Sequence, residues 1–247
     1  MDTRTVAANR GWQWIVEGFR MFRGQPLTWI AMVIVMLLIW VASAMIPLIG
    51  ALAINLVSPV FFAGLMIACR SADRGEEPAV SQLFSAFKTH AAPLVTVGGI
   101  YLAGNIVAVG IIFAVAGSSA LPALMDKGAD VESIRVAARS LMTGIAVGMA
   151  VFLPVLMAVW FAPLLIVFQD MPPVEAMKRS LVACWQNTLP FLVYGVVGVA
   201  LTIAASLPLM LGFIVLLPVM VCSIYASYKD IFPVEDTTPP APPPPLS

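Results

Sequence analysis

Long stretches of this sequence lack charge altogether. Gly24–Cys69, Ala91–Met125, Ser140–Gln169 and Ser180–Tyr228 contain no Asp, Glu, Lys or Arg, and together they make up most of the 247 residues. All 13 basic and 13 acidic residues sit in the segments between and around them. Charged residues are 11% of the chain and apolar residues 61%, with a mean hydropathy of +0.98. A soluble globular chain has about 25% charged residues and about 45–50% apolar ones. An ordinary soluble enzyme and a disordered protein are excluded. The zero net charge leaves no basic field for a phosphate backbone, so nucleic acid is excluded as a partner.

Other absences narrow the chemistry. His90 is the only histidine, so neither a zinc site nor a Ser-His-Asp arrangement can be assembled around it. Cys69, Cys184 and Cys222 are scattered, with no CxxC spacing, and read as small apolar residues. No phosphate-binding glycine loop follows a strand. Enzyme activity has no support in the sequence, and no cofactor or metal is expected. No ionisable residue lies inside an apolar run. Proton- and ion-coupled transporters often place one there despite a cost of about 2.5–3.5 kcal/mol on insertion scales.

What is present is membrane-spanning length. A spanning helix needs about 20 apolar residues. The first and last charge-free stretches each hold two and the middle two hold one, which predicts six spans: Leu27–Ile46, Leu48–Cys69, Leu94–Ala116, Leu141–Phe168, Leu189–Ser206 and Pro208–Tyr228. Short turns are expected near Pro47–Gly50 and Ser206–Gly212. The runs are continuously apolar and do not alternate, which argues against a β-barrel. Ten of the 13 Lys and Arg residues fall on the side of the N-terminus; Lys127, Arg135 and Arg139 fall on the other. The positive-inside bias places both termini in the cytoplasm.

A short amphipathic segment precedes each pair of spans. Trp12, Ile15, Val16, Phe19 and Phe22 follow helical spacing opposite Gln13, Glu17, Arg20 and Arg23. Val80, Leu83, Phe84 and Phe87 do so opposite Gln82, Ser85 and Lys88. Val174, Met177, Leu181, Cys184 and Trp185 do so opposite Glu175, Lys178, Arg179 and Gln186. Such helices lie in the headgroup plane. The expected fold is an all-α six-helix transmembrane bundle, built as three units of interfacial amphipathic helix plus transmembrane hairpin. The interfacial anchors are Trp12, Phe19, Arg20, Phe22, Arg23, Phe84, Phe87 and Trp185. Residues 1–10 read as a cytoplasmic tail, 11–228 as one membrane domain and 229–247 as a proline-rich disordered tail, for which PPII is the expected conformation.

Within the spans, Asn55 and Asn105 are the most polar side chains. They either face each other along a polar path or act as hydrogen-bonding glue between helices, and the second reading is adopted. Gly144 and Gly148 form GxxxG, and Gly104 with Ala108 a small-xxx-small pair, both signs of close helix packing within the chain or between copies. Gly117–Ser140 is the one sizeable outside loop, with Asp130 placed to cap a helix starting at Val131. Pro173-Val-Glu175-Ala-Met-Lys178 matches the P-x-[DE]-x-x-[KR] pattern of mitochondrial carriers. It occurs once and after an even span, so it reads as a helix start.

The segments Gly11-Trp12-Gln-Trp14…Gly18-Phe19…Phe22…Pro26…Trp29, Pro59-Val-Phe-Phe-Ala-Gly-Leu…Arg70 and Phe161-Ala-Pro-Leu-Leu-Ile-Val-Phe…Met177-Lys-Arg-Ser-Leu…Trp185 resemble a family of proteobacterial polytopic membrane proteins. More distantly, the repeated unit is similar to the membrane domain attached to some glycerophosphodiester phosphodiesterases. The resemblance covers about Gly11 to Tyr228. It implies the bacterial inner membrane as location but carries over nothing catalytic, and no phosphodiesterase catalytic domain is present. The expectation is a non-enzymatic binding or scaffold protein whose partners are the lipid bilayer and a membrane protein or second copy. The alternative is a passive channel or transporter for a small or lipid-like solute.

Overall fold

The computed structural model describes residues 3–125 and 130–232. Lys127 and the proline-rich segment lie outside them. The chain is all-α: α1 Arg10–Gly24, α2 Pro26–Ala44, α3 Ile49–Asp73, a 3-10 turn Val80–Phe84, α4 Ser85–Thr89, α5 Ala91–Met125, α6 Val131–Trp160, α7 Ala162–Gln169, α8 Pro173–Gln186, α9 Thr188–Ser206 and α10 Phe213–Ile231. Six helical segments are long and apolar enough to cross a membrane: α2, α3, α5, α6 with α7, α9 and α10. Among the described residues there is no strand. The charge-free runs become helices because each must satisfy its own backbone hydrogen bonds in hydrocarbon.

The spans divide into a centre and a periphery. α3 and α10 bury 56% and 50% of their most apolar window, whereas α2, α5 and α9 bury less than a fifth of theirs. The peripheral helices leave large side chains such as Leu38, Phe113 and Leu192 open, which suits lipid on that side. The core joins Trp14, Trp29, Met66, Phe161, Leu165 and Tyr228. Small residues set the closest approaches. A Cβ on Gly98 would lie 2.3 Å from the Leu56 carbonyl oxygen, and one on Gly148 2.6 Å from Ile112. The GxxxG pair therefore packs α6 on α5 within this chain.

Several boundaries differ from the sequence reading, each for a local reason. The fourth span is broken at Phe161. Pro163 sits in the first turn of α7, where its missing N–H costs nothing. The hydroxyl of Ser180 on α8 enters the gap. It accepts from the Phe161 N–H at 2.9 Å and donates to the Met157 carbonyl at 2.6 Å, replacing the hydrogen bond those two groups would otherwise share. The sixth span starts at Phe213, because Leu207–Gly212 form a turn in which Leu209 and Met210 have φ of 50° and 64°. The expected outside loop is much shorter: α5 is helical to Met125, and α6 starts at Val131 with Asp130 accepting from the Ser133 N–H at 3.1 Å. The exposed Asp130 carboxyl is held below its usual range by that bond. The second amphipathic segment splits into the 3-10 turn and the five-residue α4. α10 runs to Ile231, beyond the expected start of the tail at 229.

The amphipathic helices do not simply lie on lipid. On α1, Gly11, Trp14, Ile15, Gly18 and Phe22 are buried against protein. A Cβ on Gly11 would lie 2.2 Å from the Pro190 carbonyl oxygen, and one on Gly18 2.6 Å from that of Val219. α1 is thus docked backbone to backbone across α9 and α10. α8 buries Ala176, Met177, Ser180, Ala183 and Cys184.

Candidate functional site

A layer of polar side chains gathers at the end of the bundle where α1 starts and α10 ends. Arg10 Nε lies 2.5 Å from Asp230 Oδ2, and the same carboxylate oxygen accepts from Trp14 Nε1 at 2.9 Å. Arg10 also reaches Gln13 at 2.5 Å and Glu17 at 3.1 Å. Partial burial alone would lower the Arg10 pKa, but the Asp230 and Glu17 carboxylates outweigh it and raise the value above the ordinary one. Lys229 pairs with Asp73 at 2.5 Å, joining α10 to α3. His90 Nε2 lies 2.8 Å from Asp170 Oδ1, and Asp170 takes a left-handed conformation at the end of α7. A polar hollow of about 280 Å³ is lined by Glu17, Arg20, Met21, Ala72, Asp73, Ala226 and Lys229.

The N-terminal segment closes this layer. Arg4 N–H donates to the Ile231 carbonyl at 2.9 Å. The buried Asn187 accepts from the Val6 N–H at 2.9 Å and donates to the Arg4 and Ala183 carbonyls. Thr3 donates to Gln186 at 2.7 Å. Thr3, Arg4 and Val6, part of the segment read as a cytoplasmic tail, are in this way tied to the ends of α8 and α10.

Two further cavities lie within the spans. One of about 260 Å³ is lined by Ser58, Pro59, Phe62, Tyr101, Leu156, Val159, Trp160, Pro163 and Ile224. It sits where Pro59 and Pro163 interrupt α3 and the fourth span. Ser58 donates to the Asn55 carbonyl at 3.2 Å, the group that Pro59 leaves without its helical partner. The buried indole N–H of Trp160 has no hydrogen-bond partner. The other is an apolar crevice of about 460 Å³ beside α1, between α9 and α10.

The sequence-selected residues fall into three groups. Asn55 Nδ2 donates to the Ala51 carbonyl at 2.8 Å and Asn105 Nδ2 to the Tyr101 carbonyl at 3.1 Å. Each bonds its own helix, and no hydrogen bond joins them. Trp12, Phe19, Arg20, Arg23, Phe84, Phe87 and Trp185 are exposed, with Phe84 and Phe87 also edge-on to Phe61. Phe22 is corrected: it is buried in the core and does not face outward, because it continues the Gly11–Gly18 face of α1. That face was legible as two glycines seven residues apart, two helical turns, and was missed by following apolar residues alone. Nothing in the sequence pointed to Asp230 as the partner of Arg10.

Among the described residues, no three His, Cys, Asp or Glu side chains converge as a metal site. Cys69 and Cys222, scattered in sequence, meet with their sulfurs 4.0 Å apart between α3 and α10. Cys184 lies apart from them, and burial pushes its thiol up to about 12, which suppresses the reactive thiolate.

A probable inner membrane protein of Burkholderia thailandensis is 30% identical over 262 aligned positions, covering 96% of this chain and 96% of its own length. The chain belongs to the family of that protein. No family model and no solved structure matches the chain. With its six spans, it is a multi-pass protein of the inner membrane. The comparison lends no support to the distant similarity to the membrane domain of glycerophosphodiester phosphodiesterases.

Proposed function

We propose that this inner-membrane protein is non-enzymatic and works by binding, as a scaffold for a membrane-protein partner or for a second copy of itself. The observation that carries the reading is the close packing of neighbouring spans on small residues. Asn55 and Asn105 each turn an amide N–H onto a carbonyl of their own helix, and contacts at Gly98 and Gly148 bring neighbouring helices against each other. Charged side chains collect at the ends of the spans. In this reading both termini and the Arg10–Asp230 and Lys229–Asp73 pairs face the cytoplasm, which the bias of Lys and Arg supports. The exposed aromatics Trp12, Phe19 and Trp185 then sit at headgroup depth, with Arg20 and Arg23 beside lipid phosphates.

A second reading, passive passage of a small or lipid-like solute, draws on one observation: the unpartnered Trp160 N–H beside the cavity that Ser58 and Tyr101 line. Flux measurements on proteoliposomes of the full chain separate the two. Binding without passage means that permeability to water, glycerol and protons equals that of protein-free liposomes. A leak that Trp160→Phe alters would establish the second reading. Chemical crosslinking in native membranes addresses the binding claim itself, and recovery of the chain only as an uncrosslinked monomer would contradict it.

A further inference from the structure

α9 and α10 meet at one end of their hairpin and separate toward the other. At the closed end a Cβ on Gly212 would lie 2.5 Å from Ala205 Cα. Toward the open end α1 is wedged across the gap, with Gly11 against Pro190 of α9 and Gly18 against Val219 of α10. The space left between apex and wedge is a three-sided crevice. Its walls are Trp12, Ile15, Val16 and Phe19 of α1, Leu201, Ala204 and Ala205 of α9, and Gly212, Val215, Leu216 and Val219 of α10. The indole of Trp12 is the one polar side-chain group among them. Two walls are membrane spans, so the crevice opens at hydrocarbon depth.

Size and closure decide what fits. A helix about 10 Å across needs roughly 1,300 Å³ for three turns. The crevice offers about 950 Å³ of atom-free space even with its open mouth included. It is also stopped at both ends, by the hairpin apex and by α1, so a straight transmembrane helix cannot run along it. A flexible hydrocarbon chain can enter from the side and bend. Charge supplies the other half of the ligand. Trp12, Val16, Phe19 and Arg23 follow one another at steps of three and four along α1, so Arg23 stands one turn beyond the crevice wall on the same face. Arg20 and Arg23 are exposed and, among the described residues, neither is in an ion pair, though Arg20 also borders the polar hollow that Glu17 and Asp73 line.

We propose that this crevice binds one acyl chain of an anionic phospholipid from the surrounding bilayer, with Arg20 and Arg23 meeting its phosphate headgroup. The site is distinct from the Trp160 cavity and does not depend on whether the protein conducts.

Native mass spectrometry of the full chain, purified and then supplied with phosphatidylglycerol or phosphatidylcholine, tests the assignment. Wild type is expected to retain one phosphatidylglycerol per chain through washing that removes other lipid. Ala204→Trp, at an exposed position on the wall, fills the crevice and is expected to abolish retention of both lipids. Val215→Trp serves the same purpose should the first variant fail to fold. Arg20→Gln with Arg23→Gln leaves the crevice open and is expected to lower phosphatidylglycerol affinity by about 30-fold, with little change for phosphatidylcholine. Three results would overturn the proposal: no lipid retained by wild type, equal retention of the two lipids by wild type, or retention unaffected by filling the crevice. A wild-type dimer that Ala204→Trp dissociates would overturn it too, assigning the crevice to a second copy.

Discussion

Gly18→Leu is expected to lower the melting temperature of the detergent-solubilised protein by about 6–12 °C. The added Cβ alone would lie 2.6 Å from the Val219 carbonyl oxygen and 2.7 Å from the Ser223 nitrogen. Both are backbone atoms of a packed span, so neither can swing aside. Overpacking of this kind costs about 3 kcal/mol, and for a domain of this size each kcal/mol shifts the midpoint by about 2–4 °C. The strain is relieved by lifting α1 from α9 and α10, which releases Trp14, Ile15 and Phe22 from their buried positions. Protease cleavage between Trp12 and Arg23 should accelerate in the variant. Gly24→Leu and Gly195→Leu are the controls: a Cβ at either position meets nothing within 4 Å, and neither should shift the midpoint. An unshifted midpoint for Gly18→Leu would mean that α1 is not docked as described. Surface aspartates at Phe19 should do far less than Gly18→Leu, since Phe19 faces outward while the glycine face carries the contact.

Asp230→Ala is the second large effect. It strips the acceptor from two donors at once, the Arg10 guanidinium and the Trp14 indole. Hydrogen bonds to charged groups contribute about 1.5–3 kcal/mol each. Arg10 and Asp230 retain side-chain exposures of 29% and 18%, so water compensates part of the loss and about 2 kcal/mol is expected. Asp230→Asn keeps an oxygen for Trp14 and should cost less. A double-mutant cycle with Arg10→Met, read by thermal melts, isolates the pair. Coupling near zero would show that the contact contributes nothing to stability.

The spans were legible because lipid imposes a single rule on them: no charge, and about 20 residues of apolar helix. Interruptions were half legible. Pro163 announced a kink, but not that Ser180, seventeen residues later and on another helix, would supply the hydroxyl that rejoins Met157 and Phe161. The same limit hid the meeting of Cys69 with Cys222 and of Arg10 with Asp230, pairs separated by most of the chain. Periodicity located α1 and α8 but counted every apolar side chain alike. It could not say that Phe19 faces out and Phe22 in, which depends on the glycine stripe that lets α1 approach α10. Pattern likewise selected Asn55 and Asn105 for their polarity, whereas each turns an amide N–H onto a carbonyl four residues back in its own helix. The second amphipathic segment shows the converse. Its helical spacing is intact, but Leu83 must lie against Gly64, where a Cβ would come within 2.3 Å of the Leu83 carbonyl oxygen. The segment tightens into a 3-10 turn there.

That the charged layer, α1, α8 and both termini share the cytoplasmic face is tested most directly by reporter fusions along the chain in cells. Fluorescent-protein and phosphatase reporters fused at the N-terminus, near Gly75, near Pro172 and at the C-terminus should all report cytoplasm, and a fusion near Lys127 should report the opposite face. A cytoplasmic signal from Lys127, or opposite signals from the two termini, would contradict the assignment.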